Sequence, residues 1–196
     1  MTQMRTDHSV PAGTALVGMW LGLASLAMLF LSSMVGYIII RLTGTTMPAL
    51  ASVSLPWLLW LSTVVVLAGS MTIHLALGAI RLERQAETRK WIWVTLALAV
   101  LFCLVQIPGL WQLVDAHFAA KDLESRNHLY GLIFVLILLH AFHVLGGVVN
   151  LAVVAVKTTR GAYDHENYTG IRLSAMYWHF LDIVWIVMFG TMLALG

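Results

Sequence analysis

Five long apolar runs, at roughly 15–40, 56–80, 91–113, 129–156 and 173–195, limit this chain more than any other feature. Each reaches the ~20 residues a helix needs to cross a bilayer. Lipid offers no partner to a backbone N–H or C=O, so such a run must bond its own backbone, as an α-helix does. The fold class that follows is all-α: a polytopic membrane protein whose residues 1–196 form a single bundle of five transmembrane helices. Composition points the same way. Of 196 residues, 60% are hydrophobic and 10% charged, against about 45–50% and 25% in soluble domains. The first run is too long for a signal-peptide core and no cleavage site stands out, so it reads as a retained anchor.

The basic residues give the direction of the spans. One side carries Arg5, Arg81, Arg84, Arg89, Lys90, Lys157, Arg160 and Arg172, the other only Arg41, Lys121 and Arg126. Eight against three predicts a cytoplasmic N-terminus and a C-terminus outside, facing the periplasm. Pro56 opens the second span, where its missing N–H costs nothing. Pro108 and Gly109 are expected to kink or end the third. The longest break, Val114 to His128, holds Asp115, Lys121, Asp122, Glu124 and Arg126 and reads as a polar surface loop with a short helix. The single Cys103 rules out an internal disulfide or a cysteine metal cluster. A net charge of +2 with no long basic cluster gives no reason to expect nucleic acid.

Few polar groups fall inside the spans, and these are the candidate site. His179 and Asp182 stand in the fifth span, His140 and His143 in the fourth and His74 in the second. Each close pair is three residues apart, so each shares one helical face. An Asp at membrane depth costs about 2.5 to 3.5 kcal/mol on insertion scales. The fifth span should therefore turn Asp182 into the bundle, hydrogen-bonded to a histidine or a tryptophan N–H. The inference is a hydrogen-bonded cluster joining spans four and five, with span two a further contributor. Histidines on facing helices can also hold a haem or a metal, but no full ligand set is marked out. The structural reading is favoured, with a proton relay next. Gly146 and Gly147 would allow close helix approach, as would the stripe of Gly18, Gly22 and Ser25, and Asn150 could add an interhelical hydrogen bond.

Two stretches carry a family likeness. Leu139-His140-Ala141-Phe142-His143-Val144-Leu145-Gly146-Gly147 and Tyr177-Trp178-His179-Phe180-Leu181-Asp182-Ile183-Val184-Trp185 resemble subunit III of the haem-copper oxidases, in its five-helix bacterial form. Gly18 to Ser25 is similar to that family's opening helix, and Gln106 with Trp111 loosely echoes a pair in its third. Two positions depart from the pattern, where Leu26 and Arg172 stand in place of family glutamates. The resemblance implies a non-catalytic subunit of a cytochrome c or quinol oxidase that reduces O₂ to water and pumps protons. It implies direct packing on subunit I, support of proton uptake, bound phospholipid and a bacterial inner membrane. Haem and copper would belong to partner subunits, with no cofactor or metal on this chain. His140, His143, His179, Asp182, Trp178 and Trp185 would form its internal polar core. Three other classes stay open: a subunit III-like accessory protein of a nitric oxide reductase system, a small membrane cytochrome using the buried histidines, and a transporter, for which no interrupted helix or inverted repeat is visible.

Overall fold

A computed structural model describes residues 12–43, 57–119, 124–164 and 166–195. They form α1 (Ala12–Thr43), α2 (Trp57–Arg81), α3 (Gln85–Ala119), α4 (Glu124–Thr159) and α5 (Thr169–Leu195). All are long and apolar enough to cross a membrane, over Gly13–Ile39, Leu59–Arg81, Gln85–Pro108, Val135–Thr159 and Thr169–Thr191. Hydroxyl side chains inside them fold back on their own helix. Ser62 and Thr63 both donate to the Leu59 carbonyl at 2.8 Å, and Thr95 donates to the Trp91 carbonyl at 2.8 Å. Such back-bonding hides a hydroxyl that lipid could not satisfy.

Two expectations change. Pro108 does not end α3, which continues to Ala119. The expected loop at 114–128 is largely helical, with α3 running into it and α4 starting at Glu124; only 120–123 lie outside the described residues. Hydropathy marks where a helix leaves the apolar layer, whereas backbone bonding can carry the helix on into polar sequence.

The helices α2, α3, α4 and α5 close a four-membered ring in that order, each touching the next and α5 touching α2. Outside the ring α1 lies against α4 and α5 and, among the described residues, touches neither α2 nor α3. Two cores result. The larger fills the ring with Val66, Ile73, Ile80, Ile92, Phe102, Leu151, Ile171, Trp178 and Trp185 among others. The smaller joins α1 to the seam through Phe30, Met34 and Tyr37, with Leu136, Val184 and Met188.

Short links fix the ring at the end that carries Arg81 and Arg172. After α2 the chain turns in three residues. Glu83 takes a left-handed φ of 60°, and the Arg84 N–H reaches the Ala79 carbonyl at 3.0 Å. The end of α4 repeats this with Gly161 at φ 69° and the Ala162 N–H on the Lys157 carbonyl at 3.0 Å. Both are helix stops in which a left-handed residue lets following N–H groups cap the last carbonyls. Asp164 Oδ1 then accepts the Glu166 and Asn167 N–H groups, turning the chain into α5. The Arg81 guanidinium sits 5.9 Å from the Tyr168 ring centre, tying the two links together.

Candidate functional site

The polar groups picked out in sequence separate into two neighbourhoods around α5. The first centres on Trp185. Its indole stacks on His140 of α4, with ring centroids 5.7 Å apart and 26° between planes. It meets Phe102 of α3 edge-on at 5.4 Å. Its N–H donates to Thr63 Oγ1 of α2 at 3.2 Å. One side chain therefore touches all three other helices of the ring. On its other side His140 meets Phe30 of α1 edge-on at 6.1 Å, and Phe30 reaches His143 at 5.6 Å. His140 is 3% exposed, and neither ring nitrogen has a hydrogen-bond partner. His143 turns Nδ1 back to the Leu139 carbonyl of its own helix at 2.7 Å.

The second neighbourhood faces α2. His179 Nδ1 lies 2.6 Å from Ser70 Oγ. The same nitrogen is 3.9 Å from Asp182 Oδ2, an ion-pair distance but too long for a hydrogen bond. Asp182 points into the bundle at 3% exposure, yet neither carboxyl oxygen has a hydrogen-bond partner. The expected bond to a histidine or tryptophan N–H is therefore not formed. Trp185 gives its N–H to Thr63, and the Trp178 N–H, buried against Gly69, has no partner. The reason is register. His179 precedes Asp182 by less than one turn, and its ring swings to the Ser70 hydroxyl across the interface.

The lock between α4 and α5 is made not by the histidines and Asp182 but by the expected Asn150 bond and by Tyr177. Asn150 Nδ2 donates to Ser174 Oγ at 2.7 Å, and the Tyr177 hydroxyl donates to the His143 carbonyl at 3.1 Å. Close approach comes from Gly147, where a Cβ would stand 3.1 Å from Leu181 Cδ1 and 3.2 Å from Tyr177 Cε1. At Gly146 the nearest atom would be the Tyr177 hydroxyl at 3.9 Å, and at Gly18 and Gly22 nothing would be met within 4 Å. Leu26 is half-buried on α1, and Arg172 is exposed on the first turn of α5.

Sequence reasoning named His140, His143, His179, Asp182, Trp178 and Trp185, with Asn150, but missed the partners: Ser70 of His179, Thr63 of Trp185, Tyr177 of His143 and Ser174 of Asn150. Spacing offered one clue. Ser70 stands four residues before His74, on the same α2 face.

His140 packs between Trp185 and Phe30, His143 holds its own backbone through Nδ1, and His179 is engaged with Ser70 through Nδ1. Among the described residues no three His, Cys, Asp or Glu side chains gather in a way that could hold a metal ion.

Helical throughout its described elements and joined by interhelical polar bonds, the chain is a multi-pass membrane protein. It belongs to the cytochrome c oxidase subunit III family, whose profile matches residues 4–196. It is 27% identical to cytochrome c oxidase subunit 3 of Thermostichus vulcanus over 130 residues, covering 66% of this chain and 61% of that one. To cytochrome c oxidase subunit 3 of a Synechocystis species it is 27% identical over 174 residues, 88% of this chain and 72% of the relative. Against the cytochrome bo(3) ubiquinol oxidase subunit 3 of Pseudomonas aeruginosa the identity is 27% over 192 residues, 97% of this chain and 90% of that one.

Proposed function

We propose that this chain is the non-catalytic third subunit of a haem-copper terminal oxidase in a bacterial plasma membrane. In this reading it packs on subunit I with bound phospholipid, N-terminus in the cytoplasm, and supports proton uptake by the complex that reduces O₂. The observation that carries the reading is the family match over almost the whole chain. The geometry supports it. Tyr177, Asn150, Ser174, Thr63 and the Trp185 N–H hold helices together, and His140 is walled in by rings rather than presented to a substrate.

Purification from the native membrane in mild detergent tests this. The chain should copurify with a larger, haem-carrying multispan subunit and bring no haem of its own. A complex stripped of it should still reduce oxygen, with activity that decays faster over many turnovers. Haem retained in stoichiometric amount by the isolated chain, or immediate and complete loss of oxygen reduction on its removal, would refute the assignment.

A further inference from the structure

Asn150 lies in the apolar stretch of α4, nine residues before Thr159, and so about 14 Å inside that end of the span. Its side chain is exposed beside Val149 and Val153 on the outward side of the helix. Nδ2 donates to Ser174 Oγ at 2.7 Å, and among the described residues nothing donates to the amide oxygen Oδ1. His143, two turns back on the same flank, adds a second acceptor. Its Nδ1 is 2.7 Å from the Leu139 carbonyl, which can only accept, so Nδ1 carries the hydrogen and Nε2 of the neutral ring keeps a lone pair.

The first helix covers only part of this flank. Phe30 meets His143, and Met34 and Tyr37 continue into the core with Leu136, so α1 runs antiparallel to α4. The turns of α1 before Phe30 therefore lie level with Asn150 and Val153. From Gly13 to Gly22 none of their side chains is buried. At that level the seam between α4 and α5 is open, on the half toward the Arg81–Arg172 end of the bundle. Hydrocarbon cannot satisfy an amide carbonyl. A diacyl phospholipid at this depth brings ester carbonyls, which accept hydrogen bonds and do not donate them. A donor carried by protein fits, since interhelical bonds to Asn are a means by which membrane helices associate.

We propose that this open half of the α4–α5 seam is the docking face for a transmembrane helix of another subunit, one that presents a hydroxyl, amide or indole hydrogen to Asn150 Oδ1. The inference rests on reading this chain as one subunit of an oxidase and names the face used. Ser174 holds Nδ2, so the amide is fixed in advance for a single donor. Val149 and Val153 supply the apolar contact around that bond.

Photo-crosslinking in the intact purified complex tests this. A benzophenone amino acid in place of Val153 should attach to a membrane-spanning segment of another subunit, located by mass spectrometry of the product. Attachment to lipid alone, to a second copy of this chain, or to no polypeptide overturns the proposal. A second measurement isolates the hydrogen bond without the probe. Ser174→Ala removes the internal partner of Asn150. In that background Asn150→Leu should weaken retention of the chain on its complex about a further threefold, the mean worth of one interhelical hydrogen bond in a membrane. Equal retention of the single and double variants shows that Asn150 serves only within the bundle, and overturns the assigned bond. Failure to copurify with any larger haem-carrying subunit defeats the oxidase reading itself. Copurification with the crosslink missing from this face defeats the docking site alone.

Discussion

Trp185 lies nearly parallel to His140 with 5.7 Å between ring centres, while its N–H reaches across to Thr63 at 3.2 Å. The two contacts predict an asymmetry. Thr63→Val leaves the indole N–H buried without an acceptor and should cost about 1 to 3 kcal/mol. Thr63 itself keeps its bond to the Leu59 carbonyl when the indole is removed. Trp185→Phe should therefore cost less in a Thr63→Val background than alone, a coupling that thermal unfolding of the detergent-solubilised complex would measure. Strictly additive costs would show that the hydrogen bond contributes nothing.

Adjacent glycines on α4 should respond differently to one added methyl group. Gly147→Ala puts a Cβ near 3.1 Å from Leu181 Cδ1 and 3.2 Å from Tyr177 Cε1, so these two side chains must give way by a few tenths of an ångström. A cost of about 1 to 3 kcal/mol is expected, as for other overpacked sites. Gly146→Ala meets its nearest atom at 3.9 Å and should be tolerated. Retention of each variant in the purified complex gives the comparison.

The two left-handed helix stops also differ. Gly161→Ala forces a side chain into φ 69° and should destabilise by about 1 to 2 kcal/mol. Glu83→Gly relieves the same strain at φ 60° but adds chain freedom when unfolded, worth about 0.5 to 1 kcal/mol. Little net change is expected there. Melting temperatures of the two variants, measured side by side, check this ordering.

Orientation rests on the eight-to-three distribution of basic residues. In a Cys103→Ser background, Arg84→Cys and Leu42→Cys should label from opposite sides of intact spheroplasts, Arg84→Cys from within. Labelling of Arg84→Cys from outside would reverse the orientation.

The helices and the inward turn of Asp182 were legible because burial in lipid is a one-body property: each span must satisfy its own backbone, and a charge must avoid hydrocarbon. Partner choice was not. Whether the indole of Trp185 finds Asp182 or Thr63 depends on the relative rotation and height of α2 and α5, which no spacing within α5 encodes. Ser70 and Ser174 looked like ordinary small polar residues until the facing helix supplied His179 and Asn150. Of the two effects expected of Pro108, the end of the helix does not occur. A proline removes one N–H but does not forbid the helix beyond it, and α3 continues.

The placement of α1 also bears on biosynthesis. Among the described residues its intramolecular partners are α4 and α5, with α2 and α3 intervening in the chain but not in space. The α2–α3 pair, joined by three residues, can associate as soon as both have left the ribosome. The first helix, with Phe30 and Tyr37 ready to pack, must wait in the bilayer for the fourth helix and is completed only by the fifth. A chain cut short before α5 would leave α1 without Val184 and Met188 and Thr63 without the indole, giving membrane quality control a clear mark of an unfinished subunit.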